Sequence, residues 1–372
     1  MRRRALFLTV MPSPYQRELF EALHSDGRME VRVLYCRRDA RDRNWSIPAL
    51  NSYEKVLSGT TIGWLGPSAH FNPGIIKILR DDTSNLFVLS DYSAPTTQIA
   101  MRYLTWHRKP WVFWGETPGL RQRGLMTGFI RHRLQRPMLG GAVAIAAVGS
   151  LAVESYKKLF PKIPVFNIPY FCNLELFRTA ARQRGKQKSS AVGILFSGQF
   201  IERKGVDVLI RAFARIAPQV PALELHLLGT GPALDSLYNL VPPNLSTRVH
   251  FLGFKQPAAL PAIFAGADIF VLPSRHDGWG VVVNEALGSG LPIIVSDRVG
   301  ACDLVEDGRN GLITSSGDVE ELAEALLQLG RSPEMRKSFA AASAERAAQW
   351  DLDEGVRRWI DLYDQAVIER RK

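Results

Sequence analysis

Short apolar runs alternate along the chain with longer stretches in which apolar positions recur every three or four residues. In the first half, the short runs predict strands, and these are 5–10, 31–36, 86–90, 111–114, 142–148 and 165–168. The stretches between them predict helices at 15–24, 94–107 and 151–160. Strands that are apolar on both faces and separated by helices are typical of a parallel sheet covered on both sides.

The second half repeats this pattern. Its predicted strands are 192–196, 223–228, 249–252, 269–272, 292–296 and 311–314. Its predicted helices are 204–216, 234–240, 257–265, 282–288, 319–329 and 333–348. The expected fold class is therefore α/β, with two Rossmann-like doubly wound domains that face a central cleft.

A polar, basic segment without periodicity, TAARQRGKQKSS at 179–190, separates the two halves. It predicts an N-terminal domain of residues 1–178 and a second domain of residues 179–350. Residues 351–372 have the apolar spacing of an amphipathic helix. In the cleft, the carboxyl ends of both sheets offer the usual ligand site of open α/β sheets.

The composition, with 46% apolar and 22% charged residues among 372, is that of an ordinary globular protein. Cys36, Cys172 and Cys302 are far apart, which argues against a disulfide framework and a zinc site and favours a reducing cytoplasm. No apolar run reaches the ~20 residues that span a bilayer. We therefore expect a cytoplasmic chain.

The net charge of +11 indicates an acidic partner, either nucleic acid, anionic lipid or a phosphorylated substrate. Residues 119–140, GLRQRGLMTGFIRHRLQRPMLG, mix arginines with large apolar side chains. Such a segment favours an interfacial helix on the inner face of the cytoplasmic membrane, and the alternative is a core-packed helix with a solvated basic face. Basic and aromatic residues do not interleave on a repeated platform, so no nucleic-acid partner is expected.

Glycine-rich turns follow three strands of the second half. After the first, Gly198 precedes Arg203 and Lys204 at a predicted helix start, where backbone N–H groups and cationic side chains suit a diphosphate. The alternative is that both cations are solvated surface charges. After the second strand, LLGTGP contains Gly231, although a GxG turn by itself is weak evidence.

The third turn, in SRHDGWGVVVNEALGSG, is the most informative. Asp277 and Glu285 flank a short loop of Gly278, Trp279, Gly280 and Val281 before a predicted helix. The loop can present N–H groups to phosphate or sugar oxygens, and a carboxylate such as Glu285 can accept two hydrogen bonds from a ribose diol. The alternative for Glu285 is a helix-surface glutamate without a ligand.

These segments, with VHFLGF between them, occur in the order found in family 4 retaining glycosyltransferases of the GT-B fold, the glycosyl transferases group 1, which the chain resembles. The resemblance implies transfer of a sugar from a nucleoside-diphosphate donor to a glycan or lipid-linked acceptor, in cell-surface polysaccharide or glycolipid biosynthesis. It implies that Asp277 and the glycine loop face the donor sugar, and that Glu285 holds the ribose. It also implies that the C-terminal helix crosses back to the N-terminal domain.

The sequence departs from the family pattern in several places. The first acid is usually glutamate and here is Asp277, and Gln199 replaces a common arginine whose charge Arg203 can supply. Glu116, after the strand at 111–114, stands where the family often has a histidine near the donor sugar. It is expected either to contact a sugar hydroxyl or to cap a turn.

Metal and cofactor independence is a further expectation. No DxD pair follows a strand in a suitable place, because the acids at 81–82 and 351–353 resemble helix starts. Lys204, Arg203 and helix N-termini would then stabilise the leaving diphosphate. The alternatives are a nucleotide-sugar epimerase or a glycogen-type phosphorylase of the same fold, or a non-enzymatic protein that binds anionic surfaces or nucleic acid.

Overall fold

The computed structural model describes residues 2–38, 49–61, 70–92, 94–118, 139–183 and 191–368. The chain divides into two compact units, one of Met1–Cys172 with Leu352–Lys372, the other of Asn173–Asp351. The candidate interfacial helix at 119–140 lies outside the described residues except for its last two positions. Among the described helices, none is long and apolar enough to cross a membrane.

The first unit contains a seven-stranded parallel sheet in the order β3-β2-β1-β6-β7-β8-β9. Its strands are β1 (Arg3–Thr9), β2 (Met29–Tyr35), β3 (Glu54–Val56), β6 (Leu86–Ser90), β7 (Trp111–Gly115), β8 (Ala144–Ala147) and β9 (Val165–Asn167). A separate antiparallel pair consists of β4 (Thr60–Thr61) and β5 (His70–Phe71). The described helices of this unit are Pro14–Asp26, Ile75–Asp81, Pro95–Trp106, Ser150–Leu159 and Leu352–Tyr363.

The C-terminal helix Leu352–Tyr363 belongs to the first unit and packs on its aromatic core. Trp359 is buried with its ring centroid 5.1 Å from those of Phe7 and Trp114, both at steep interplanar angles. Beyond the helix, Asp364 accepts two hydrogen bonds of 2.7 Å from the guanidinium of Arg3 on β1. Burial of large aromatic surface is the main stabilising term of this contact.

The second unit contains a six-stranded parallel sheet in the order β12-β11-β10-β13-β14-β15. Its strands are β10 (Val192–Ser197), β11 (Leu223–Leu228), β12 (Val249–Gly253), β13 (Ile269–Leu272), β14 (Ile293–Ser296) and β15 (Gly311–Thr314). Its helices are Glu175–Gln183, Val206–Ile216, Leu234–Leu240, Leu260–Ala265, Val282–Gly288, Val319–Arg331 and Pro333–Ala347. The strand order reverses between β10 and β13, so the loops after these strands diverge to form the crevice typical of such sheets.

The domain boundary lies earlier than the position predicted near residue 178, which falls inside the helix Glu175–Gln183 of the second unit. Phe177 is buried with its ring 5.5 Å from that of Phe264, and a Cβ on Gly288 would lie 3.1 Å from Leu174. These apolar contacts hold the helix on the second unit. The boundary therefore precedes the polar segment 179–190, which does not mark it.

Two acid pairs were predicted at helix starts, and one of these predictions is wrong. Asp81 is the last residue of the helix Ile75–Asp81, and Asp82 follows it as the C-cap. The reason is tertiary, because the Asp82 carboxylate pairs with Arg32 on β2 and also accepts a hydrogen bond of 2.8 Å from the Ser84 amide. The other pair, at 351–353, does lie at the start of Leu352–Tyr363.

Candidate functional site

The candidate site is built on the turns that follow β10 and β13. After β10, a single 3-10 turn, Glu202–Lys204, precedes the helix Val206–Ile216. Arg203 and Lys204 therefore stand just before this helix, whereas the sequence pattern predicted a helix that already begins at Lys204. The helix is largely buried, with seven buried residues in its eleven.

Gly205 makes the junction between this turn and the helix. Its φ of +67° lies in the left-handed region that glycine adopts without steric cost. A Cβ at this position would lie 2.1 Å from the carbonyl oxygen of Pro273, in the turn after β13. The two turns can approach this closely only because residue 205 has no side chain.

This close approach brings together two cations and one acid. The Lys204 ammonium donates to Asp277 Oδ2 at 2.5 Å, and Arg203 Nη1 lies 3.1 Å from Asp277 Oδ1. Lys204 and Asp277 are buried, each 9% exposed, whereas the Arg203 side chain retains 32% of its exposure. The three predicted catalytic residues of this unit thus form one charged cluster, which we call the Lys204 cluster.

The Lys204 cluster keeps a net positive charge. Burial raises the pKa of the Asp277 carboxyl, but the charges of Lys204 and Arg203 outweigh this effect and hold the pKa below its usual range. Asp277 is therefore an anion at neutral pH, and it neutralises one of the two cations. An ammonium has three donors and a guanidinium five, so donors remain for an anionic ligand.

A second ion pair, which the sequence pattern did not predict, clamps the same two turns. Arg275 makes two hydrogen bonds of 2.7 Å to the carboxylate of Asp207, in the first turn of the helix Val206–Ile216. It also donates to the Glu202 carbonyl at 2.7 Å, and its amide donates to the Arg203 carbonyl at 2.8 Å. Because Arg275 and Asp207 are 68 positions apart, no local pattern could indicate the pair.

The glycine loop lies between Asp277 and the helix Val282–Gly288. Gly280 has a φ of +95°, and a Cβ there would lie 2.9 Å from Leu272 and 3.1 Å from Val299. Val281 is the N-cap of the helix and stays partly exposed. The loop therefore needs glycine at position 280 for its own backbone, apart from any ligand.

The side chain of Trp279, in the loop predicted to bind the donor, points into the core. It is 1% exposed, and its indole N–H donates to the Asn284 side chain at 2.8 Å. Its ring faces Trp350, with centroids 6.4 Å apart. Burial of this large aromatic ring anchors the loop in the core. Only the backbone of Trp279 is left for a ligand.

The remaining predicted residues occupy three places. Glu285 lies on the helix Val282–Gly288, partly exposed, one turn past Val281. Gly198 directly follows β10, and a Cβ on it would contact Lys204 Cε at 3.6 Å. Gly231 packs against the backbone of Phe200, at 2.5 Å from a would-be Cβ to the carbonyl oxygen. The absence of a side chain at Gly231 therefore allows its loop to pack against the loop that contains Phe200.

Glu116, in the first unit, directly follows β7 as predicted, with an exposed side chain. Its backbone carbonyl accepts a hydrogen bond of 2.9 Å from the Tyr156 hydroxyl, and its Oε1 accepts one of 3.2 Å from Tyr170. These tyrosines fix the backbone and orient the carboxylate.

The two Rossmann-like units and the basic turn at the reversal point of the second sheet define a GT-B fold. Residues 177–346 match the family model described as glycosyl transferases group 1. The matched residues make up most of the second unit, which therefore resembles the glycosyl transferases group 1 family.

Known proteins agree with this assignment. The chain is 33% identical over 171 residues to the lipopolysaccharide core biosynthesis glycosyltransferase LpsE of Rhizobium meliloti, covering 45% of this chain and 48% of LpsE. The chain spans about half or less of the length of LpsE and of two other curated relatives that it matches.

Solved structures extend the similarity in fold to the whole chain. A sucrose-phosphate synthase from Thermosynechococcus elongatus superposes with a TM-score of 0.74 at 20% identity, covering 98% of this chain and 99% of that one. Anabaena Alr3699/HepE in complex with UDP gives a TM-score of 0.73 at 18% identity, covering 97% and 100%. At these identities the likeness establishes the fold.

Proposed function

We propose that the chain is a retaining glycosyltransferase that moves a sugar from a nucleoside-diphosphate donor to a glycan or lipid-linked acceptor. The Lys204 cluster carries this proposal, because two cations and one acid converge at the ligand-binding end of a group 1 domain. The UDP bound by the similarly folded Anabaena protein supports a nucleotide donor. The name of LpsE supports an acceptor in polysaccharide or glycolipid biosynthesis.

In this proposal the second unit holds the donor. The remaining donors of Lys204 and Arg203 bind the diphosphate and stabilise the negative charge that develops when the bond to the sugar breaks. Glu285 accepts hydrogen bonds from the ribose hydroxyls. Asp277 and the backbone of Gly278, Gly280 and Val281 face the donor sugar.

The acceptor is assigned to the first unit. Glu116, held by Tyr156 and Tyr170 at the end of β7, accepts a hydrogen bond from a sugar hydroxyl. Retention of the anomeric configuration is inferred from the resemblance to family 4. Since the cations of the Lys204 cluster replace Mg²⁺ on the diphosphate, transfer is expected to survive excess EDTA.

A panel of nucleotide sugars tests the proposal. A donor that binds the native state raises the melting temperature by mass action. We expect at least one nucleotide sugar to do so, and its sugar to appear on an acceptor with the anomeric configuration unchanged by NMR. Glycan primers and lipid-linked saccharides serve as acceptors in parallel arms.

Three results would contradict this proposal in different ways. Release of an epimerised sugar or epimerised nucleotide sugar without transfer indicates an epimerase. Salt-sensitive binding of random DNA, with no effect of any nucleotide sugar, indicates a non-enzymatic anion-binding protein. Activity that vanishes in EDTA and returns with Mg²⁺ or Mn²⁺ overturns metal independence alone.

A further inference from the structure

A second cluster of ionisable side chains lies on the edge of the six-stranded sheet. Glu224 and His226 are on β11, and His250 is the register partner of His226 on the edge strand β12. The two imidazole rings stack with centroids 5.0 Å apart. Glu224 Oε2 lies 3.5 Å from Nε2 of each histidine.

The arrangement has the dimensions of a metal site. Each of the three residues offers a ligand atom, and these atoms lie within 4.8 Å of one another. Bonds of ~2.0–2.2 Å to Zn²⁺ place tetrahedral ligand atoms ~3.3 Å apart, close to both glutamate–histidine distances. Binding would require the histidine rings to rotate so that a nitrogen lone pair of each points at the ion.

Solvent access and chemistry also suit a metal ion. The three side chains keep 32–38% of their exposure, so water can complete the coordination shell. Nε2 of His250 is itself shielded, and within the described part of the chain it makes no hydrogen bond. A set of two imidazoles and one carboxylate favours Zn²⁺ over Mg²⁺ or Ca²⁺, which prefer oxygen ligands.

We propose that Glu224, His226 and His250 bind a divalent transition-metal ion of the Zn²⁺ class, with water in the remaining position. The ion would join the edge strand β12 to β11 and so stabilise an edge that is otherwise held from one side only. A further carboxylate, Asp268, accepts a hydrogen bond of 2.8 Å from the Gly193 amide and adds negative charge beside His226.

This site is separate from the donor site. Glu224 and His226 lie in the first four residues of β11, and His250 is the second residue of β12, whereas the Lys204 cluster follows the carboxyl ends of β10 and β13. The inference goes beyond the proposed glycosyl transfer and does not depend on it. A metal ion bound here would not contact Lys204 or Arg203. It would therefore not explain a metal requirement of sugar transfer.

Zinc titration of the full chain tests the proposal. After EDTA treatment and removal of the chelator, isothermal titration with ZnCl₂ should show one saturable equivalent, and elemental analysis should agree. The same addition should raise the melting temperature by at least ~2 °C, because the ion binds the folded state. The variants His226→Gln, His250→Gln and Glu224→Gln should each weaken zinc binding by at least ~10-fold.

Matched controls separate this site from other zinc ligands. His107→Gln changes an exposed histidine of the first unit and should bind zinc like the unmodified chain. Glu285→Ala should also keep its zinc affinity, even if it loses donor binding. Circular dichroism of each variant checks its fold, and Glu224→Gln, which keeps the side-chain shape, covers the case in which a histidine variant misfolds.

Two results would overturn the proposal. One is the absence of a saturable zinc equivalent and of any rise in melting temperature in the unmodified chain. The other is unchanged zinc binding by folded Glu224→Gln and by both histidine variants, which places the metal elsewhere. Neither result affects the nucleotide-sugar assays.

Discussion

At the scale of single residues, the proposed donor site depends on how Asp277 divides its charge between two cations. Lys204 is buried and takes the shorter contact, of 2.5 Å, whereas the more exposed Arg203 lies at 3.1 Å. The aspartate side chain is one methylene shorter than the glutamate that is usual at this position in family 4 glycosyltransferases. In the proposed donor site, the acid would remain paired with both cations while the glycine loop faces the donor sugar.

Removal of either charged donor contact should reduce transfer. We expect Lys204→Ala and Glu285→Ala each to lower kcat/KM by at least ~10-fold. Each variant lacks a charged side chain that is proposed to contact the diphosphate or the ribose. Lys255→Ala, at an exposed position of the same unit, serves as the control. Unmodified turnover of both variants at subsaturating donor would refute the site assignment.

Asp277→Asn should reveal the buried ion pair through its pH dependence. At pH 7 we expect it to lower the free energy of unfolding by ~2 kcal/mol, because two cations lose their counter-charge. The pKa of Asp277 is lowered in the folded state, so its contribution is complete above the unfolded value of ~3.9 and disappears as the pH falls through the folded value.

Urea unfolding across the acid range measures this effect. The difference between the unmodified chain and Asp277→Asn should stay constant from neutral pH to about pH 5 and shrink below about pH 4. Glu324→Gln, on an exposed position of the helix Val319–Arg331, should show little difference at any pH. A pH-independent deficit in Asp277→Asn would mean that the carboxylate charge does not stabilise the fold.

At the scale of elements, the site depends on how closely the turns after β10 and β13 pack. The 3-10 turn Glu202–Lys204 and the helix Val206–Ile216 are joined at Gly205, and Arg275 ties both to the neighbouring turn. The backbone contact between Gly205 and Pro273 sets the distance at which Lys204 meets Asp277. A change in this junction should affect stability and donor binding together.

Gly205→Ala tests this packing. It should destabilise the fold by ~3 kcal/mol, from ~1 kcal/mol of left-handed strain and from the clash with the Pro273 carbonyl. Gly253→Ala is the control, since Gly253 has nearly the same φ, +68°, with nothing near its would-be Cβ. Chemical denaturation compares the two, and equal losses of stability would show that the turns can separate without cost.

At the scale of the whole molecule, the last helix joins the two ends of the chain in one unit. Residues from Leu352 onward complete the first unit, where Trp359 contacts Phe7 on β1 and Trp114 on β7. The second unit is thus inserted, in sequence, between two parts of the first. The stability of the first unit must therefore depend on residues at the far end of the sequence.

Trp359→Ala should lower the free energy of unfolding by ~3–5 kcal/mol, because it leaves a large cavity between these aromatic rings. Trp106→Ala removes a tryptophan of the same unit that is 85% exposed, and it should have little effect. Urea unfolding followed by far-UV circular dichroism measures both. A small effect of Trp359→Ala would show that the C-terminal helix is dispensable for the first unit.

The net charge of the molecule favours an anionic surface as the place of action. We expect the chain to sediment with anionic liposomes in low salt and to be released in high salt, since each basic residue near such a surface contributes ~1 kcal/mol. Serine at Arg131, Arg133 and Arg136, which lie outside the described residues, should weaken this binding. Equal binding of both chains to neutral and anionic vesicles would assign the acceptor to solution.

Much of the fold could be predicted from local pattern. Strands at 223–228, 269–272 and 311–314 and the helices at 234–240 and 282–288 have the predicted bounds, because buried parallel strands and amphipathic helices leave strong periodicity. Short elements such as Glu54–Val56 and Ile75–Asp81 were not predicted, since a few residues carry too little periodic signal. The two doubly wound α/β domains followed from the repeat of this pattern in both halves, whereas the GT-B fold followed from the resemblance to family 4.

The sequence by itself indicated which residues of the second unit are candidates for a donor site, because glycine-rich turns with cations or acids follow its strands. Only the tertiary structure decided which of them meet. In the folded chain, Asp277 pairs with Lys204 and Arg203, and Trp279 is buried in the core. Arg275 pairs with Asp207, 68 positions away. The tertiary structure also brought Glu224, His226 and His250 together across two strands. Spacing along a chain fixes local conformation, whereas contacts between distant segments depend on how the sheet orders its strands.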